Sequence, residues 1–178
     1  MTVVIAGSKL HVAHVGDSRA ALGSVAPATM GGGAIEARAP TLVARFLTRD
    51  HKPDLPNERS RIEAAGGSVA FLPPNGKPFI RGGDFLERHA TGERPMQLNY
   101  SRALGGKDLV PYGLSAVPDI STISITSADR VLVVASDGLW DVCSPEFAVE
   151  HVLRSHRLGR NPSAELVQYA CVVSAPLA

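Results

Sequence analysis

Apolar and β-branched residues fall in short runs along this chain, and most runs stop abruptly at a glycine, an aspartate or a proline. Residues 3–6, 10–15 and 42–47 have the length and composition of strands, and Gly7-Ser8 is a short turn between the first two. The chain is therefore expected to open as antiparallel β. Residues 131–135, Val-Leu-Val-Val-Ala, are apolar throughout and predict a buried strand. The pattern turns helical after Pro56: Asp54, Pro56 and Glu58 signal a start and Gly66-Gly67 a stop, giving a short helix with Ile62 and Ala65 on one face. Ser144-Pro145-Glu146 supply the N-cap, first-turn proline and first-turn acid of a second helix, ending near Ser155. Asn161-Pro162-Ser163 opens a third, with Leu166 and Ala170 facing inward. Between these elements, Met30-Gly31-Gly32-Gly33 reads as a loop, because no strand-to-helix context or Lys-Ser/Thr follows as a phosphate cradle requires. Residues 67–97, rich in proline, glycine and charge, read as an exposed flap with turns at Pro73-Pro74-Asn75-Gly76 and Arg81-Gly82-Gly83-Asp84.

Chemistry enters where two apolar runs end in acid. His14-Val15 leads into Gly16-Asp17-Ser18-Arg19-Ala20, and Val134-Ala135 leads into Ser136-Asp137-Gly138-Leu139-Trp140-Asp141. A turn aspartate commonly bonds its own backbone. Two carboxylates each lifted off the end of a buried strand, however, repel unless a cation lies between them, and Mg²⁺ or Mn²⁺ takes such oxygen ligands in small number. Asp17 and Asp137 are the candidate metal ligands, Gly138 supports the second, and Asp141 reads as a capping or pairing residue. Arg19 reads as scaffold and Trp140 as core.

Four ordered segments resemble the metal-dependent Ser/Thr protein phosphatases of the PPM/PP2C family. They are LHVAHVGDSRAAL at 10–22, LTRDHKPDLPNERSRIEAAGGSV at 47–69, LNYSRALGGKDLVPYGLSAVPDI at 98–120 and DRVLVVASDGLWDVCSPEFAVEHV at 129–152. The resemblance implies an α/β fold of the α+β type, a sandwich of two antiparallel sheets flanked by helices. It implies two or more Mg²⁺ or Mn²⁺ ions that activate a water against phosphoserine or phosphothreonine in protein substrates. Asp17 and Asp137 take the metal-ligand positions. Where the family ordinarily carries aspartate after Ser-Arg-Ala-hydrophobic-Gly, this chain has Gly106, and Asp108 is the nearest carboxylate. Arg81, Arg88, His89 and Arg94 stand in the segment that contributes to substrate choice. His51 reads as scaffold, and Ser101 is no nucleophile, since the family's nucleophile is metal-bound water. The family's opening Asp-Gly-His-Gly-Gly and closing Asp-Asn segments do not occur in these residues. The expectation is a single partial domain over 1–178, with a loop insertion at 23–40, a flap-like insertion at 70–97, weak or absent activity of the isolated chain, and an open sheet edge that invites self-association. The competing reading is a non-catalytic, phosphatase-like binding or regulatory protein.

Composition narrows the partners. Across 178 residues, 18 Lys and Arg balance 17 Asp and Glu, so no field gathers nucleic acid or anionic lipid. No apolar run reaches membrane length. Cys143 and Cys171 make no disulfide framework or zinc spacing, which fits an intracellular, cytoplasmic or nuclear protein.

Overall fold

The structure, a computed structural model, describes residues 1–26 and 41–175. Its strands are β1 (Thr2–Ala6), β2 (Lys9–His14), β3 (Arg19–Ala26), β4 (Thr41–Phe46), β5 (Ser68–Leu72), β6 (Lys77–Arg81), β7 (Gln97–Leu98), β8 (Asp119–Ser124) and β9 (Asp129–Ala135). Its helices are α1 (Pro56–Ala64), α2 (Phe85–Ala90), α3 (Asp137–Trp140), α4 (Pro145–Arg157) and α5 (Pro162–Ser174), with a 3-10 helix at Lys107–Tyr112. The strands form three sheets, ordered β1-β2-β8, β4-β3-β9 and β5-β6-β7. The chain divides into two compact units: Met1, Ala13–Asp17 and Arg49–Ile120 make the first, and Thr2–Val12, Ser18–Thr48 and Ser121–Ala178 the second. Among the described residues no helix is long and apolar enough to cross a membrane.

In the second unit, β3 runs antiparallel to both neighbours, and its partners at one end are Arg19 and Ala135. α4 packs over β3, where Gly23 leaves room for Val149; a Cβ at Gly23 would collide with that side chain. The core there gathers Ala21, Val133, Leu139, Trp140, Val149 and Leu166. Ser144 Oγ accepts from the Phe147 amide at 3.2 Å, so the expected Ser144 cap is present, and Asn161 Oδ1 caps α5 by accepting from Ser163 and Ala164. In the first unit, Ile62, Ile80, Leu109 and Leu114 form the core beneath α1 and the β5-β6 hairpin.

Four expectations need amendment. Ala65 does not share the inward face of Ile62: it caps the end of α1 and is exposed. Residues 23–26 are strand β3, while 27–40 lie outside the described residues. The stretch 70–97 is largely regular, with β6, α2 and β7 inside it and Ile80 and Phe85 buried. Asp137-Gly138 opens a single helical turn, with the Asp141 amide donating to the Asp137 carbonyl at 2.8 Å.

Candidate functional site

Asp17 follows β2 in the first unit and is 9% exposed. Its Oδ2 accepts from Lys52 Nζ at 2.6 Å, and the same ammonium lies 3.8 Å from Asp50. The backbone behind it is held by the His51 amide, which donates to the Gly16 carbonyl at 3.0 Å, and Gly16 turns the chain at φ +82°. This is a carboxylate placed to hold a compact cation. In the second unit, Asp137 is the first residue of α3, half-buried, directly after β9. Asp137 lies two residues after Ala135, which pairs with Arg19 at the end of the β3-β9 ladder. Both positions offer the hard oxygen donors that Mg²⁺ or Mn²⁺ takes. Gly138 is exposed, and a Cβ there would meet only Ser136 Oγ at 3.5 Å, so its backbone does not demand glycine.

The residues after Ser101 differ from this pattern. Asp108 is exposed in the 3-10 helix, and its charge acts on Arg88. Gly106 has φ +68°, and a Cβ on it would lie 2.5 Å from Leu114 Cδ2, a side chain only 4% exposed. A left-handed backbone against a buried leucine gives a physical reason for glycine at a position that carries aspartate elsewhere. Gly106→Asp should therefore lower stability by about 1–3 kcal/mol in urea unfolding, from backbone strain plus displacement of Leu114. Unchanged stability would show that the loop accommodates the side chain freely.

Of the four basic residues singled out in the flap, the structure brings three together. Arg81, His89 and Arg94 line a cavity of about 360 Å³ with Phe85 and Gln97. Arg81 lies over the Phe85 ring at 4.2 Å and donates to Gln97 Oε1 at 2.7 Å. Arg88 instead pairs with Glu93 at 2.7 Å and with Asp84 at 3.8 Å. The hydrogen bond to Glu93 raises its pKa further.

A buried ionic network was missed from sequence. Glu58, 3% exposed, receives Arg61 Nη2 at 2.7 Å and Arg102 Nη2 at 2.5 Å, and Ser101 Oγ lies 2.5 Å from its Oε2. Burial pushes the Glu58 carboxyl upward, but the hydrogen bonds from Arg102, Arg61 and Ser101 together outweigh it and bring its pKa down to about 2. Arg102 continues to Asp119 at 2.9 Å, and Asp119 Oδ2 accepts from His51 Nε2 at 3.1 Å. His51 stacks on His14 with ring centroids 4.7 Å apart, and His14 Nε2 donates to the Arg49 carbonyl at 2.9 Å. Burial lowers the His51 pKa and outweighs the opposing hydrogen bond to Asp119. One signal could have found His14: with Leu10 and Val12 it occupies the buried face of β2 at the two-residue period.

The family model "Protein phosphatase 2C" matches residues 1–175. Probable protein phosphatase 2C 67 of Oryza sativa subsp. japonica is 36% identical over 164 residues, covering 92% of this chain and 39% of its own. Protein phosphatase 2C homolog 2 of Hypocrea jecorina (strain QM6a) is 36% identical over 151 residues, 85% of this chain and 28% of its own. The chain thus spans less than half the length of these curated relatives. The crystal structure of serine-threonine phosphatase 2C from Toxoplasma gondii superposes with a TM-score of 0.85 at 48% identity, covering 94% of this chain and 50% of that one. A C. elegans sex determining protein superposes at a TM-score of 0.61 with 26% identity, covering 93% of this chain and 33% of its own. Mixed helices and antiparallel sheets, the four ordered motifs and the match from end to end agree: the chain belongs to the protein phosphatase 2C family.

Proposed function

We propose that the protein of which these residues form part hydrolyses phosphoserine and phosphothreonine in proteins, and that Asp17 and Asp137 hold the Mg²⁺ or Mn²⁺ it uses. The observation that carries this reading is the likeness to the T. gondii serine-threonine phosphatase over 94% of the chain, together with both aspartates in their motif positions at the ends of strands. Bound at such carboxylates, a divalent ion supplies a water of lowered pKa and offsets charge on the phosphoryl oxygens. The chain's own residues set the conditions. Lys52 has to leave Asp17 before an ion can take the carboxylate, and Asp50, already 3.8 Å from the ammonium, can receive it. Arg81, His89 and Arg94, around one cavity, are the side chains proposed to meet the acidic part of a phosphoprotein.

The second reading, a phosphatase-like binding or regulatory protein, is favoured by Gly106, whose conformation resists the aspartate ordinarily found there. Hydrolysis of a phosphothreonine peptide with Mn²⁺, measured for the protein and for its Asp17→Asn and Asp137→Asn variants, separates the two. The catalytic reading expects Mn²⁺-dependent turnover that either substitution lowers by at least about 100-fold, the loss of roughly 2.7 kcal/mol of transition-state stabilisation. Peptide binding without turnover at saturating Mn²⁺ would instead support the binding protein.

A further inference from the structure

We propose that His14, His51 and Asp119 form a second metal site, of a different class from the aspartate site, selective for Zn²⁺ or a similar borderline transition ion. One donor atom of each residue lies within 4.8 Å of the other two. Two imidazoles and a carboxylate are a nitrogen-rich set that suits Zn²⁺, Co²⁺ or Ni²⁺ and not Mg²⁺. His51 Nε2 and Asp119 Oδ2 are 3.1 Å apart. Two ligands at tetrahedral angles on zinc, each at about 2.1 Å, stand about 3.4 Å from one another. An ion can therefore replace the proton these two atoms share with little movement of either. His14, whose Nε2 donates to the Arg49 carbonyl, has to move toward the other two to complete the set.

A second observation is independent of that convergence. The two histidines are 6% and 3% exposed, and His51 Nδ1 is fully buried with no hydrogen-bond partner among the described residues. Burial disfavours the imidazolium, so the ring is neutral, and with an ion on Nε2 its proton passes to Nδ1, a donor without a partner there whose cost the metal–nitrogen bond has to offset. Neutral imidazole is the form that binds metal. A cavity of about 320 Å³ lined by Arg49, Asp50, His51, Glu58, Arg102 and Asp119 opens beside two of the three ligands and gives the ion a way in. Arg102 engages Asp119 through Oδ1, leaving Oδ2 to the ion, while Asp50, Glu58 and Asp119 offset Arg49, Arg61 and Arg102 around the cavity. Protonation of either imidazole competes with the ion, so affinity rises with pH until both rings are neutral. Because the His51 amide holds the Gly16 carbonyl, an ion on this ring also restrains the turn that carries Asp17.

Co²⁺ titration of the purified protein, followed through its visible d–d bands, is the test, with Cys143→Ser/Cys171→Ser and Asp17→Asn/Asp137→Asn double variants alongside. The expected result is the intense spectrum of a four- or five-coordinate ion, retained in both double variants, displaced by Zn²⁺ but not Mg²⁺, and weakened about 10- to 100-fold in affinity by His14→Asn. Retention without Asp17 and Asp137 keeps this site's outcome separate from that of the aspartate site. A wild-type protein that leaves Co²⁺ in its octahedral aqua form overturns the proposal, as does an unchanged affinity in folded His14→Asn. Should that variant lose its circular dichroism spectrum, ¹⁵N shifts of the wild-type imidazoles on Zn²⁺ addition decide. His14 and His51 moving together supports the site, and movement confined to His11, His89, His151 or His156 refutes it.

Discussion

Replacing Glu58 by glutamine should cost this protein about 3 kcal/mol of stability at neutral pH, and replacing it by alanine somewhat more. The glutamine keeps the shape and part of the hydrogen bonding but removes the charge that two guanidinium groups are arranged around. Arg61 and Arg102 are 32% and 16% exposed, so their stranded charges recover only part of their hydration, which sets the cost near the lower end of the range for breaking a buried pair. The pH dependence carries the sign. The Glu58 pKa is about 2 in the folded protein against an ordinary 4.5, so the folded state binds the proton less well than the unfolded chain. Its contribution is fully present above the unfolded value and disappears as pH falls from there toward 2. Urea unfolding of wild type and Glu58→Gln across that interval should give curves that converge as pH drops. A constant gap would assign the effect to packing and remove the ionic explanation.

Trp140→Ala should be of similar size, about 3–5 kcal/mol. The indole is 5% exposed and meets Phe46 edge-on with ring centroids 5.1 Å apart. Its N–H lies 3.1 Å from the Arg19 carbonyl and 3.0 Å from that of Ala135. Those two residues end the β3-β9 ladder, so one donor ties together the ends of the two strands. Trp140→Phe keeps most of the volume and leaves two carbonyls short of a donor, at a cost of about 1–3 kcal/mol. Thermal and urea unfolding of the pair separates packing from hydrogen bonding. An alanine variant within about 1 kcal/mol of wild type would mean that the core does not depend on this ring.

The elements legible in the sequence are those whose ends carry local chemistry. Ser144 and Asn161 announce α4 and α5 because a cap is read from one side chain and its next three residues. Strand β9 is visible because residues 131–135 are apolar, although only Val133 of them is buried and Val134 is 48% exposed. The β5-β6 hairpin is hidden by Pro78, which argues against a strand. The proline is tolerated because β7 pairs only with Ile80 and Arg81, leaving β6 a single neighbour at that point. For the site, motif context singled out Asp17 and Asp137, and within α1 the i,i+3 and i,i+4 spacings put Glu58 beside Arg61 and Arg59 beside Glu63. The partners that matter more, Arg102 and Asp119, stand 44 and 61 residues beyond Glu58 and are joined to it only by tertiary folding. Spacing rules carry no information at that distance. Gly106 was visible as a departure from the family, but its reason, Leu114 behind it, is a packing fact.

The direct examination of the aspartate site is Mn²⁺ binding followed by the electron paramagnetic resonance signal of the free ion, with wild type, Asp17→Asn and Asp137→Asn compared at one pH. The account predicts that wild type removes free Mn²⁺ from solution and that each substitution weakens this by at least about tenfold, or roughly 1.4 kcal/mol. Binding that persists unchanged through both substitutions would contradict it and place the ion on other residues.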